Sequence, residues 1–306
     1  MSNQIIFGRD YKLILKPDDH DPVTCMPPMQ VKFSVINSAN NAIATALITV
    51  YGLSPATRNR LRKKDVQQKD FDGFGSVELH AGYEGTVSSI FNGQINYVEI
   101  GREGPNLYTR FYCSTKLNAW QNVAVNKTWS GNTPAKEVLM DIASAFGLRV
   151  EMNGDFSDIQ PFVKGYSSYR KAAEELDEMA LHWGFSWRIT SSSIIITRKN
   201  AVRDQDAVEI SAKNGMEGTP RFYFEKTEID IKLDGAIQPD DLIKVNSDYW
   251  SINYNAMYYS DFKNVPQMLV RNGRFKVLST SHEGDFWGET WKTTLGCYWY
   301  SGGVNG

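Results

Sequence analysis

Apolar and polar residues alternate in several short runs within the first third of the chain. Val31, Phe33 and Val35 alternate with lysine and serine, which is the pattern of a strand with one buried face. Similar runs occupy residues 46–51, 77–79, 95–100 and 108–113, and a loop rich in glycine, proline and asparagine joins the last two. Because many short strands with short loops leave open edges unless they close, we predict a barrel or sandwich up to about residue 115.

The apolar spacing changes to a helical period in the middle of the chain. We predict one helix that is capped by Thr133, begins with Pro134 and ends at Gly147, and a second from Ser168 to Gly184, since these residue types favour helix starts and ends. Each predicted helix is followed by a short strand, and a hairpin over residues 187–198 completes a small sheet. The two helix–glycine–strand units are either a duplication or a chance similarity.

Alternation with a period of two returns after about residue 206. Ile229, Ile231 and Leu233 alternate with charged residues, and another such run occupies residues 289–300. The whole pattern predicts a mainly β fold with an α/β insert. The predicted domains are a first tube-like β-barrel over residues 1–115, an α/β middle domain over 116–205 and a second tube-like β-barrel over 206–306.

Composition excludes several classes of protein. The 306 residues carry 33 basic and 35 acidic side chains, so net charge provides no field to gather nucleic acid or an anionic membrane. Cys25, Cys113 and Cys297 form no CxxC pair, and the last two lie in strand-like aromatic runs that favour buried thiols. The start lacks the features of a secretion signal, and the longest mostly apolar stretch, residues 42–53, is too short to span a bilayer. We expect a chain folded in a reducing cytoplasm and not inserted in a membrane.

No motif for catalysis or for cofactor binding is present. The sequence lacks the phosphate-binding, dinucleotide-binding, serine-hydrolase and zinc-protease motifs, and its four histidines lie in separate regions. Glu174, Glu175, Asp177 and Glu178 all lie on one predicted helix, whereas a glycosidase needs carboxylates that face each other across a cleft. We interpret this acidic group as a solvated helix face, and we predict no catalytic residue, no cofactor, no metal site and no enzymatic activity.

One basic run stands out, within a helix predicted over residues 56–64. Nucleic-acid binding would need such a run spread over a face with stacking aromatics, and the only large apolar residue in it is Leu61. The run is therefore interpreted as the exposed face of a short helix, or as a salt-sensitive contact with a neighbouring protein, and no specific nucleic-acid binding is expected. Its residues are Arg58, Arg60, Arg62, Lys63 and Lys64.

Several segments together resemble one family. In residues 48–95 a strand ending in tyrosine is followed by "GLSP", one helix, a strand, "AGY" and "IFNGQI". Residues 131–148 (GNTPAKEVLMDIASAFGL), 169–185 (YRKAAEELDEMALHWGF) and 275–291 (FKVLSTSHEGDFWGETW) continue the similarity, as does GAIQPDDLIKV, where Asp240 replaces the glycine of a Pro-Gly-Asp turn. In order and spacing these segments resemble the baseplate hub proteins of contractile-tailed bacteriophages, that is, the tail hub or late control protein D superfamily, which is related to the hub region of type VI secretion spikes.

The resemblance implies a structural role in the virion tail baseplate, with assembly in the host cytoplasm. Hubs of this family are homotrimers in which two similar barrels per subunit form a ring of six, which joins the six-fold tail tube to the central spike and lets DNA pass. The implied partners are the chain itself, the central spike protein, the tail tube or tube-initiator protein, other baseplate proteins and the tape measure protein. A hub of a secretion or injection machine would have the same architecture. The alternative from another class, motivated by the 8 tryptophans, is a tail protein that binds or cleaves cell-wall glycans.

Overall fold

The computed structural model of the chain describes residues 8–18, 20–40, 42–61, 75–223, 226–249, 251–252 and 273–300. The first third contains β1 (Arg9–Pro17), β2 (Val23–Cys25), β3 (Val31–Ser38), β4 (Ala42–Ile43), β5 (Thr45–Tyr51), α1 (Pro55–Arg60), β6 (Gly75–Tyr83), β7 (Ser88–Glu103) and β8 (Asn106–Ser114). The middle contains α2 (Leu117–Asn122), β9 (Ala124–Trp129), α3 (Ala135–Ser144), β10 (Arg149–Asn153), β11 (Tyr166–Lys171), α4 (Ala172–Trp183), β12 (Phe185–Ile189) and β13 (Ser193–Arg198). The last third contains β14 (Val208–Ser211), β15 (Met216–Phe222), β16 (Thr227–Lys232), β17 (Leu242–Asn246), β18 (Ser251–Ile252), β19 (Arg274–Asp285) and β20 (Trp291–Trp299).

The predicted fold class, mainly β with an α/β insert, is confirmed. Strands of the first and last thirds join in one large sheet, and almost all of its pairs are antiparallel. The two parts of this sheet meet where β3 pairs with the C-terminal half of β19, from Ser38 opposite Ser279 to Lys32 opposite Asp285. Backbone pairing therefore makes the first and last thirds continuous, although they are far apart in sequence.

The same strand order occurs in both thirds. The first has the order β3-β5-β8-β7-β6-β1, and the last has β15-β16-β20-β19-β17-β14. One pair differs, because β1 and β6 are antiparallel whereas β14 and β17 are parallel. No pair between the two ends of either order is found among the described strands, so closure of each third into a barrel stays a prediction.

A bulge marks the same position in each of the two long strands. In β7 the register shifts after Ile95, which lies opposite Cys113 of β8. In β19 it shifts after Val277, which lies opposite Cys297 of β20. A bulge adds one residue and increases the local twist of a strand, so these matching positions align the two thirds residue by residue.

The middle third forms a separate small sheet with the order β10-β13-β12-β4. Strand β4 comes from the first third and pairs in parallel with β12, where Ala42 lies opposite Arg188. Helices α3 and α4 pack on this sheet through Val138, Leu139 and Leu176. Both helices are followed by a glycine with positive φ, Gly147 and Gly184, as the sequence predicts. Glycine is favoured there because the left-handed conformation costs it no steric strain.

The predicted starts of both helices need correction. Helix α3 begins at Ala135 rather than at Pro134, and the hydroxyl of Thr133 donates to the carbonyl of Ser130 instead of capping the helix. The second helix was predicted from Ser168, but Ser168 lies in β11, which pairs with β9 along its whole length. Pairing with a strand distant in sequence overrides the local preference for helix.

Three clusters of buried apolar side chains support the fold. One lies in the first third, one in the middle and one in the last third. The first cluster also includes Leu233 and Trp291 from the last third. The indole nitrogen of Trp291 donates to the carbonyl of Gly82 at 2.9 Å, and its ring meets Phe33 edge to face at 5.3 Å. The predicted domain boundaries stay a prediction, but the first core is completed by residues from the far end of the chain.

Candidate assembly surfaces and buried charge clusters

Helix α1 carries the described part of the basic run. The Oγ of Ser54 accepts a hydrogen bond from the backbone nitrogen of Thr57 at 3.1 Å, and Pro55 occupies the first turn, as is typical of a helix start. Leu61 directly follows the helix and is buried in the first core. The helix is thus attached to the core at its C-terminal end. Arg60 is exposed and Arg58 half-buried, and neither forms an ion pair with another described residue.

A helix was predicted over residues 56–64, whereas α1 spans Pro55–Arg60 and Leu61 is its C-cap. Arg62, Lys63 and Lys64 lie outside the described residues. A protein-contact role for the basic run stays a prediction.

A second surface, here called the tyrosine face, was not singled out by the sequence. It consists of Ile36, Leu47, Tyr97 and Tyr112 on four adjacent strands, and all four side chains are exposed. Tyr112 lies opposite Leu47 on one neighbouring strand and opposite Tyr97 on the other, and the two tyrosine rings are 5.6 Å apart. Since contiguous exposed apolar side chains often mark contact sites, this face is a candidate assembly surface.

Glu99 borders the tyrosine face and organises its polar rim. Its carboxylate accepts hydrogen bonds from the hydroxyls of Tyr108 and Tyr112, each at 2.9 Å, and from Arg110 at 3.4 Å. The bond from Tyr108 is the largest of the effects that lower the pKa of Glu99. The carboxylate therefore stays ionised and fixes the orientation of the tyrosines around it.

Buried charges connect the middle sheet to the last third. Asp240 lies 3.5 Å from the Nε of Arg188 on β12 and 3.1 Å from the Nζ of Lys276 on β19. All three side chains are buried. Burial lowers the pKa of the Arg188 guanidinium, and the neighbouring Asp240 opposes this shift. Because unpaired charges in a protein interior are costly, the carboxylate is needed to stabilise both cations.

Asp240 also explains the departure from the family turn. Its φ of +74° is left-handed, so the turn keeps the conformation for which glycine is favoured, and aspartate is among the residues that tolerate it. Its backbone nitrogen donates to the carbonyl of Val277 at 2.7 Å. The neighbouring Asp241 is fully buried and accepts a hydrogen bond from Arg203 at 2.7 Å. The substitution therefore adds a buried anion while the backbone shape is kept.

The acidic group on α4 is not a uniform solvated face, and this interpretation was wrong for two of its members. Glu175 is buried and accepts hydrogen bonds from Tyr166, Ser168 and Arg170 of β11. Burial alone would raise the pKa of Glu175, but these bonds hold it below its usual value. Asp177 is half-buried and accepts a bond from the indole nitrogen of Trp187 at 2.9 Å. Glu174 and Glu178 are exposed, as expected.

Two other kinds of site are absent from the part of the chain that the structure describes. No three His, Cys, Asp or Glu side chains in the described ranges lie close enough together to hold a metal ion. In the same ranges, no helix has both the length and the apolar character needed to cross a membrane.

Comparison with solved structures places this architecture among tail proteins. The chain matches the crystal structure of the 43 kDa tail protein of prophage MuSo2 from Shewanella oneidensis with a TM-score of 0.57 and 10% identity, over 94% of this chain and 98% of that one. It matches the tail protein from Neisseria meningitidis MC58 with a TM-score of 0.57 and 6% identity, over 95% and 96%. It also matches the E. coli c3393 protein, described as a type VI secretion system component similar to T4 bacteriophage tail proteins gp27 and gp5, with a TM-score of 0.58 and 9% identity, over 94% and 77%. At such low identity these likenesses show the fold alone, which this chain shares with the three proteins.

The family follows from the sequence itself. The family model of baseplate hub gp41 matches residues 13–248 of this chain, which is well over half of its length. The chain belongs to the baseplate hub gp41 family, and the resemblance found in the sequence is confirmed. None of the curated proteins compared matches this sequence.

Proposed function

We propose that the protein is a structural hub subunit that forms a trimeric ring of pseudo-six-fold symmetry in the tail baseplate of a phage. The ring would join the tail tube to the central spike and let DNA pass. The observation that carries this proposal is the strand order repeated in the first and last thirds of one chain. Three chains, each with two similar units, present six near-equivalent surfaces, as a six-fold tube requires. Three single-unit subunits could not do so.

The proposed partners are the chain itself, the spike, the tail tube or tube-initiator protein, other baseplate proteins and the tape measure protein. The basic run would lie outside the channel, where its cations would not retain the DNA phosphates.

The mass of the protein in solution tests the proposal. Light scattering at micromolar concentration, with and without the spike protein, should give three chains per particle in at least one of the two conditions. Negative-stain images of that particle should show a ring. A strict monomer in both conditions would contradict the proposal, whereas a monomer that trimerises only with the spike would support it.

The glycan-binding or glycan-cleaving alternative has less support. A glycan groove would need several exposed tryptophans in a row, but Trp129, Trp187 and Trp291 are buried. Trp287 and Trp299 are exposed, but one precedes β20 and the other ends it. We expect purified peptidoglycan to remain intact in the presence of the protein. Turnover that disappears in Glu178→Gln, a change at an exposed carboxylate, would favour the alternative.

A further inference from the structure

The two long strands β7 and β19 differ at one edge. The edge of β19 that pairs with β17 up to Lys276 continues past the bulge and pairs with β3 from Ser279 to Asp285. The corresponding edge of β7 pairs with β6 only as far as Gln94. Beyond that point, among the described strands, β7 pairs only with β8, on its other side. Half of β7 thus has an edge without a described partner, whereas the equivalent edge of β19 is paired with β3.

The bulges identify which residues correspond. Counting from them, Tyr97 corresponds to Ser279, Glu99 to Ser281 and Ile100 to His282. His282 lies opposite Val35 of β3 and is 1% exposed. Ile100 is 39% exposed and Tyr97 60% exposed. An unpaired edge of this kind, with exposed apolar side chains such as Tyr97 and Ile100, is a template for strand addition unless something covers it.

The repeat also identifies the strand that would cover this edge. Strand β3 stands at the end of the strand order in the first third, and its equivalent in the last third is β15. Within one chain β3 already pairs with β19, so the equivalent contact of β7 needs β15 of another copy. Among the described strands of the single chain, β18 alone pairs with the outer edge of β15, through two residues, Arg221 and Phe222.

We propose that the edge of β7 from Tyr97 to Glu103 pairs with β15 of a second copy of this chain and displaces the short pairing of β18. This inference rests on the proposed function, since it assigns the contact between subunits of the ring. The contact is heterologous, because different surfaces meet, and such contacts form a ring when the rotation from copy to copy closes. The junction between β3 and β19 is its template within the chain.

The register of the template makes the contact specific. Val35 lies opposite His282 and Ile36 opposite Ser281. The equivalent pairs between copies are Phe222 with Ile100 and Tyr223 with Glu99. Arg221, which pairs with Asp230 at 2.9 Å within the chain, would then face Gly101, and Glu217 would fall opposite Glu103. The apolar pair would cover the part of β7 that is exposed in one chain.

A pair of engineered cysteines tests this register. Glu99→Cys and Tyr223→Cys, combined in one chain and oxidised with diamide, should give covalent oligomers on a denaturing gel, and neither change alone should do so. The matched control is Ile36→Cys with Ser281→Cys, which occupies the template position and should form a disulfide within one chain. Oxidation is carried out under the condition, with or without spike, in which light scattering shows an oligomer.

The outcomes separate this inference from the proposed function. Linked oligomers in the test pair support the inference. An oligomer without links, while the control pair closes, overturns the inference and leaves the ring intact. A monomer in every condition contradicts the ring itself.

A second variant tests the edge without cysteines. Ile100→Asp would bury a charge at the contact and should raise the concentration needed for assembly at least about tenfold. Met140→Asp, on helix α3 of the middle third, changes a side chain of nearly the same exposure and should leave assembly unchanged. Equal effects of the two changes would count against the edge contact.

Discussion

Cys113 and Cys297 occupy equivalent positions in the two halves of the large sheet. Each lies opposite the last residue before a bulge, Ile95 in one case and Val277 in the other. Both thiols are buried and unbonded, and burial raises the pKa of each. The pair shows that the repeat extends to the placement of individual side chains, although the surrounding sequences differ.

The buried thiols lead to a prediction about reactivity. Since the thiolate is the reactive form, and burial raises the pKa of Cys25 to about 11, the native protein should not react with Ellman's reagent at pH 8. All three cysteines should react in guanidinium chloride. Glu174→Cys, at an exposed position of α4, provides an exposed thiol as the control and should add one fast-reacting group. Rapid labelling of the unmodified native chain would show that these positions open to solvent.

Asp240 should be needed for stability despite its left-handed backbone. Asp240→Gly would relieve at most about 1 kcal/mol of backbone strain, but it would leave Arg188 and Lys276 without their buried anion. We expect the free energy of unfolding, measured by urea denaturation, to fall by about 3–5 kcal/mol. Asp240→Asn keeps the tolerance for positive φ and should lose most of the same amount.

The exposed Asp204 provides the matched control for this change. Asp204→Gly should alter the free energy of unfolding by no more than about 1 kcal/mol. Equal losses of unfolding free energy at the two positions would mean that the buried ion pairs of Asp240 do not stabilise the fold.

Glu175 should likewise stabilise the middle third. Glu175→Gln removes the charge that accepts bonds from Tyr166, Ser168 and Arg170, and we expect a loss of about 3 kcal/mol in urea denaturation. Glu174→Gln, one residue earlier on the exposed side of α4, should stay within about 0.5 kcal/mol of the unchanged chain. If Glu175→Gln left the free energy of unfolding unchanged, the whole acidic group would again be interpreted as a solvated helix face.

Stability should fall in mild acid because of His282. Its Nδ1 lies 2.8 Å from the Oγ1 of Thr293, and burial lowers the pKa of His282 to about 4, whereas an unfolded histidine has a pKa of about 6.5. The unfolded chain therefore binds the proton first as the pH falls. The contribution of His282 to the free energy of unfolding is fully present above about pH 6.5. Up to about 3 kcal/mol of this free energy is lost as the pH falls from about 6.5 to about 4.

Urea denaturation at a series of pH values measures this effect. His282→Gln should flatten the pH dependence over that interval, whereas His20→Gln, a change at an exposed histidine, should leave it as it is. A slope that is the same in all three proteins would mean that His282 is accessible to protons in the folded state.

The sequence by itself determined the types and order of most elements and the family. The alternation around Val31 and Ile229 predicted strands because a sheet with one buried face needs a period of two. The glycines after α3 and α4 predicted helix ends because few other residues adopt a positive φ. The burial of Cys113 and Cys297 also followed from their apolar neighbours. These features depend on residues close together in the sequence, within a single strand or helix, so the sequence alone is enough to predict them.

Only the tertiary structure decided how the parts are joined. Ser168 is in a strand because β9 is beside it, Glu175 is buried because β11 supplies its donors, and Asp240 is buried because β12 and β19 supply cations. No local pattern encodes which distant strand becomes a neighbour, since pairing between strands depends on the arrangement of the whole chain. The β3–β19 junction is the clearest case, because its two strands lie at opposite ends of the sequence, and the exposed edge of β7 is recognised only by comparison with it.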